Sequence, residues 1–182
     1  MFQTRITEMF GIRYPIVQGA MGYVAKPELV AAVSRAGGLG MLPARGHPSV
    51  EALRLEVRKT KSLTKNPFGV NISLMAEMAG RPGLLSVDDC ISVVLDEGIK
   101  LVETNGRSPE ALVARLHAGG VKLMHKTVGV RYALTAERVG CDVVSIVGYE
   151  GGGHPGMQEV STLALVPRVV DSVKIPVVAG GG

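Results

Sequence analysis

Short β-branched runs and helix-period stretches alternate along this chain from residue 15 onward. Pro15-Ile16-Val17-Gln18 reads as a first strand, ending at Gly19-Ala20-Met21-Gly22. Pro27 to Ala36 (PELVAAVSRA) then has helical spacing, with proline at its start, Glu28 in the first turn and Gly37-Gly38 as the stop. Leu39–Leu42 is a second strand, followed by a helix from about Ser49 to Lys61 and a third strand at Phe68–Ile72. A helix over Val87–Glu97, closed by Gly98, leads to strand Leu101–Glu103. Ser108-Pro109 opens the helix ALVARLHA, which ends at Gly119-Gly120 before strand Val121–His125. Helix Val130–Val139, strand Val143–Val147, helix Thr162–Ser172 and strand Ile175–Ala179 complete the series. The pattern predicts seven β units separated by helices, an α/β fold with a parallel sheet. Units of unequal length with no shared signature argue against a solenoid.

Two parallel architectures compete, the doubly wound open sheet and the (β/α)8 barrel. Glycine or polar residues cap the carboxyl ends of nearly every strand: Gly19, Asn71, Glu103, Lys126, Gly148 and Gly180. A site assembled from many strand ends is barrel behaviour, whereas an open sheet concentrates its site at one switch point. The expectation is therefore a (β/α)8 TIM barrel, incomplete, with residues 1–182 forming one domain that lacks its C-terminal part. Gly180-Gly181-Gly182 follow the seventh strand directly, where a helix and an eighth strand would come next. Unpaired first and seventh strands would template pairing with another chain, so a homo-oligomer or aggregation is expected.

Composition narrows the function classes. Hydrophobic residues make up 46% and charged residues 20%, as in a globular domain. Aromatics are 4% and Trp is absent, which disfavours stacking platforms for single-stranded nucleic acid. The formal charge is +4, and its densest run, Arg54 to Lys65, alternates with apolar positions at helical spacing. That run reads as a solvated helix face, so no nucleic-acid partner is expected. The N-terminus has no apolar signal core, and no stretch approaches the ~18 apolar residues of a membrane span, so a cytoplasmic location is expected. Cys90 and Cys141 stand alone, without metal-ligand spacing, and read as thiols of a reducing compartment; no metal site is expected.

The densest chemistry lies in VVSIVGYEGGGHPG, residues 143–156. A buried-type strand ends in a glycine cluster with one imidazole, His154, at its tip. Glycines there let the backbone approach a ligand without Cβ obstruction. Neither GxGxxG after the first strand nor GxxxxGK[ST] occurs, so a dinucleotide fingerprint and a P-loop are both unsupported. Gly180 to Gly182 fits a nest of backbone N–H groups for a phosphate, or a frayed end. Asn71 either bonds a heterocycle edge or makes an Asx turn. Lys126 either meets an anionic ligand or is solvated, and Glu103 is not separable from a surface carboxylate. His47, His117 and His125 have no partners at ligand spacing, and of these His125 alone is expected to reach the site.

The segments PIVQGAMGYVAKPELVAAVSRAGGLG, PFGVN, GYEGGGHPG and LVPRVVDSVKIPVVAGGG together resemble the nitronate monooxygenase family, also called 2-nitropropane dioxygenases. The resemblance spreads over essentially the whole chain and implies a barrel holding FMN at its carboxyl face. It places Ala20, Met21 and Gly22 near the flavin, Asn71 and Lys126 on its ring or ribityl region, and Gly152, Gly153, Gly180, Gly181 and Gly182 along it toward the phosphate. His154 matches the family's catalytic histidine. The implied reaction oxidises an alkyl nitronate with O2 to a carbonyl compound and nitrite, with nitronates or nitroalkanes as small-molecule substrates. Histidine titrates ordinarily near pH 6.5, suited to accepting an α-proton. Family members continue past this glycine cluster, so FMN retention by the present chain is in question. The flavin-dependent enoyl-acyl-carrier-protein reductases share the QGxM, AGGLG and GGHxG elements and would instead use NAD(P)H. An inactive fragment is a further alternative.

Overall fold

Each helix returns the chain to the strand position next to the one it left, so the sheet keeps sequence order. The computed structural model describes residues 3–75, 84–154, 156 and 158–181. The strands are β1 (Gly40–Pro43), β2 (Phe68–Leu74), β3 (Leu101–Gly106), β4 (Lys122–Thr127), β5 (Val143–Val147) and β6 (Val177–Gly180). They pair in parallel in the order β1-β2-β3-β4-β5-β6. The helices are α1 (Arg5–Phe10), α2 (Pro27–Arg35), α3 (Val50–Leu63), α4 (Val87–Asp96), α5 (Glu110–Ala118), α6 (Val130–Arg138) and α7 (Thr162–Val170). An order with no reversal is a barrel arc and excludes the doubly wound alternative.

Local chemistry explains where the helices begin. Thr4, Ser49, Ser86 and Ser161 are N-caps whose hydroxyls accept from the backbone N–H three residues on. Each such cap is worth about 1 kcal/mol. Pro27 opens α2, where its missing N–H costs nothing.

Alternation along the strands divides the apolar residues into two cores. The outward-facing Leu42, Val70, Ile72, Val102, Leu123, Val144 and Ile146 pack against the helices, including Val30, Leu53, Ile91, Leu116 and Leu165. The inward-facing Met41, Leu101, Met124 and Val143 form a second cluster with Leu39 and with Ile6 and Phe10 of α1. Helix α1 therefore closes the amino end of the arc. Its six residues are too few for a readable period, although the Thr4–Thr7 capping box is present in the sequence.

One sequence expectation is corrected. Of the proposed first strand, Pro15–Gln18, only Val17 pairs, as a single parallel bridge to Leu39. The arc thus has six strands rather than seven, with Gln18 carrying the attachment: its Oε1 accepts from the Met41 N–H at 3.2 Å. The basic run on α3 also differs from a plain solvated face. Arg54, Arg58 and Lys61 converge on Glu97 at the end of α4, whose side chain is only 8% exposed. Burial pushes the Glu97 carboxyl up, but hydrogen bonds from the three cations outweigh it and hold the group below its ordinary value. The run therefore fastens α3 to α4. Cys90 and Cys141 are buried, which pushes both thiols up to about 12 and leaves them protonated. Among the described residues no helix is long and apolar enough to cross a membrane.

Helix α2 lies so close to β1 that a Cβ on Gly40 would stand 2.8 Å from Val30 Cα. Gly40→Ala is therefore expected to cost about 1–3 kcal/mol, as overpacking does. Chemical denaturation checks this: an unchanged midpoint would show that the helix can back away freely.

Candidate functional site

The inward faces of β2 and β3 change character from apolar to polar toward their carboxyl ends, and that of β4 runs Lys122, Met124, Lys126. Register places Asn71, Glu103, Met124 and Val143 side by side across the sheet. One layer higher come Ser73, Asn105, Lys126, Ser145 and Val178. The lower layer sits on the apolar plug, and the upper one opens toward the strand-end loops.

Hydrogen bonds tie these layers together. Asn71 Nδ2 donates to Glu103 Oε2 at 2.8 Å and to Asn105 Oδ1 at 3.3 Å, and Asn105 Nδ2 donates to Ser73 Oγ at 3.2 Å. Both hydrogens of the Asn71 amide are thereby used, which leaves its side-chain oxygen to accept from a ligand. Glu103 is 7% exposed, and burial raises its carboxyl above the ordinary value against the pull of Asn71 and the Lys126 charge. The sequence reading could not place Glu103 on either side of the surface. Its alternation with Leu101 and Asn105 was the available signal, and Asn105 itself went unnoticed. Arg45, also unanticipated, is buried and donates to Leu85 O at 3.1 Å and Ser73 O at 2.9 Å, bracing the end of β2.

Lys126 and His154 come together. Lys126 Nζ lies 3.5 Å from the His154 carbonyl, and both side chains line a cleft of about 370 Å³ with Asn105 and His125. His154 is exposed on the loop after β5, with its N–H donating to Gly152 O at 3.2 Å. His125 reaches the same cleft from the outward face of β4, whereas His117 bonds Asp142 at 2.9 Å and His47 bonds the Pro43 carbonyl at 3.1 Å.

The other nominated residues occupy separate parts of the strand-end rim. Ala20 is half-buried against the inner core, while Met21 and Gly22 are exposed in the turn that follows the Val17 bridge. Gly152 and Gly153 are exposed, and a Cβ on either would meet nothing within 4 Å. Gly181 is different: its φ is +83° and a Cβ there would stand 2.7 Å from Gly151 Cα. Two backbones thus touch at the end of β6, with the Thr162 hydroxyl bridging 3.3 Å to Gly180 O and 3.1 Å to Glu150 Oε2. Gly182 lies outside the described residues. Among the described residues no group of three His, Cys, Asp or Glu side chains converges as a metal site would need.

The raised carboxyl of Glu103 links stability to pH. An acid that holds its proton more tightly when folded stabilises fully below its ordinary value, and that contribution is lost as pH rises through the folded value. Glu103→Gln removes the ionisation while keeping an acceptor for Asn71. Its melting temperature relative to the parent is expected to become more favourable as pH is raised from 4 to 8. A difference independent of pH would refute the raised carboxyl.

Comparison with known proteins agrees with this architecture. The nitronate monooxygenase family model matches residues 3–182. The (3aS,4S,5R,7aS)-5-hydroxy-7a-methyl-1-oxo-octahydro-1H-indene-4-carboxyl-CoA dehydrogenase of Rhodococcus jostii is 38% identical over 180 residues, 99% of this chain and 48% of that protein. Among solved structures, FabK from Thermotoga maritima aligns with a TM-score of 0.87 at 36% identity, over 98% of this chain and 54% of its own. Nitroalkane oxidase from Streptomyces ansochromogenes aligns with a TM-score of 0.85 at 29% identity, over 98% of this chain and 61% of its own. The chain spans about half the length of the relatives it matches. With six parallel strands forming part of a TIM barrel and a family match running from residue 3 to residue 182, the chain belongs to the nitronate monooxygenase family.

Proposed function

We propose that this protein oxidises alkyl nitronates with O2 to a carbonyl compound and nitrite, using FMN, with His154 as the base that accepts the α-proton of a neutral nitroalkane. The observation that carries the reading is the meeting of Lys126 and the His154 loop over one cleft. A lysine and a histidine lining one cleft suit a substrate that becomes an anion when it loses a proton.

The rim residues fit a flavin mononucleotide in space and in donor chemistry. Gly152 and Gly153 leave open space for backbone approach, Asn71 has an acceptor oxygen to spare, and Lys126 supplies a positive charge. Gly181 would serve less by touching the cofactor than by letting the β6 end pack on Gly151. FMN supplies the electron-accepting and O2 chemistry when bound. The chain's own residues hold and orient: Lys126 attracts the nitronate oxygens, His154 holds the abstracted proton at an imidazole nitrogen, and the half-buried amides of Asn71 and Asn105 would help hold the cofactor.

A second reading is reduction of an unsaturated acyl thioester by NAD(P)H through the same flavin. It is favoured by the shared QGxM, AGGLG and GGHxG elements and by the relative named as a carboxyl-CoA dehydrogenase. Oxygen uptake with propionate 3-nitronate in the absence of NADH supports the oxidation, and rapid bleaching of bound flavin by NADH alone supports the reduction.

Two variants test the assignment. His154→Asn is expected to slow turnover of neutral nitroalkanes by about 10²–10⁴-fold while largely sparing preformed nitronates. Equal rates on a neutral nitroalkane would remove His154 from the role of base. Gly152→Val places a branched side chain where the fold has open space, so it is expected to keep the melting temperature and lose FMN, read as the flavin-to-protein absorbance ratio. Full FMN content in that variant would count against close approach of the cofactor to this loop.

A further inference from the structure

The cleft shared by Lys126 and His154 does not stop at the barrel mouth. It continues over β4 toward α6, where His125, Thr127, Tyr132 and Thr135 line it. Because side chains alternate along a strand, Lys126 faces the barrel interior while His125 and Thr127 face the helix layer. One space therefore has a charged end and a neutral end.

The neutral end carries unused hydrogen-bonding capacity. The Thr127 hydroxyl is buried and, among the described residues, is the one buried side-chain polar atom with no partner. Its neighbours are already committed: Thr135 Oγ1 donates to Arg131 O at 3.0 Å, and Thr104 Oγ1 lies 2.8 Å from His125 Nδ1. The His125 ring, 5% exposed, has Nδ1 engaged by Thr104, and the residue lines the cleft. Burial pushes this ring down to about 4, so at neutral pH it offers an uncharged nitrogen. Among the described residues no carboxylate or arginine lines the cleft. An unmade hydrogen bond in a buried place is costly, and a ligand group would satisfy it.

We infer that the β4–α6 end of this cleft is a specificity subsite for the neutral, hydrogen-bonding end of a substrate, a hydroxyl, carbonyl or amide on a short apolar stem, read by Thr127 and His125. The assignment of the opposite, anionic end to Lys126 rests on the nitronate reading; the subsite itself does not. A volume of about 370 Å³ suits a small molecule of that kind. The competing occupant is a single ordered water bridging the two side chains.

Direct binding separates these. n-Butyramide, a neutral hydrogen-bonding head on a short stem, is titrated into the protein alongside butyrate, with the Thr127 amide and the His125 ring followed by NMR. Butyramide is expected to shift both signals. Thr127→Val, which deletes only the hydroxyl, should weaken butyramide about threefold to tenfold, with the melting temperature equal to or above the parent's. Thr127→Ser should retain binding. Butyrate, held by charge, should be unaffected by either change. Absence of shifts at Thr127 and His125, equal butyramide affinity in Thr127→Val, or a lowered melting temperature in that variant would overturn the subsite in favour of a structural water. In turnover, Thr127→Val should raise KM for 4-nitro-1-butanol and not for 1-nitrobutane. If butyramide binds as stated and neither nitro compound is oxidised, the subsite stands and the nitronate reading falls.

Discussion

Pairing of every strand with its neighbour in sequence is the constraint on which the rest of this structure depends. It places the crossover helices on one side of the sheet and leaves the other side as the concave face of the arc. Strand alternation then assigns each residue of β2 to β5 to one of two environments. The amino end of the concave face is filled by Met41, Leu101, Met124 and the α1 residues Ile6 and Phe10. Apart from the exposed Lys122 at the start of β4, the inward-facing polar side chains of β2 to β5 lie toward the carboxyl end, where they can reach one another or the mouth. The site's position follows from that geometry.

Buried charge is handled in two ways in this molecule, and the contrast separates fastening from function. Glu97 and Asp142 lie at helix and strand ends, where several donors surround each carboxylate. Burial raises both, but Lys61, Arg54 and Arg58 in one case, and the Leu123 N–H, Lys122 and His117 in the other, bring them below their ordinary values. Those groups stitch neighbouring βα units together. Glu103 has a single amide donor and a lysine at greater remove, so burial wins and its carboxyl is raised.

The strand-end glycines likewise divide by physical role. Gly40 and Gly181 are where backbone meets neighbouring protein, with no room for a Cβ. A Cβ on Gly152 or Gly153 would meet nothing, but Gly153 holds a φ of +86° that itself favours glycine, so Gly152 alone has no local structural reason to lack a side chain. Glycine that serves packing and glycine that serves access look identical in a sequence. They differ only in what lies within a few ångströms.

Much of the architecture was legible in the amino-acid sequence. The β-branched runs, the N-cap serines, Pro27 at a helix start and the glycine stops are local signals, and local signals survive without knowledge of the fold. They located the strands from Leu39 onward and the helices between them, and the distribution of polar residues over many strand ends pointed to a barrel. The short α1 lay below the length at which periodicity can be read. The segment Pro15–Gln18 has strand composition but gains only one bridge, because pairing depends on what lies alongside rather than on the segment itself. For the site, the sequence singled out Asn71, Lys126 and His154 as residue types at strand ends. Tertiary structure alone decided that Lys126 meets the His154 loop, that Glu103 is buried beside Asn71, and that His125 and Thr127 line the same cleft from the opposite face of the strand. The contacts involved join residues 21 to 32 positions apart, and they are set by register and packing, which no single segment encodes.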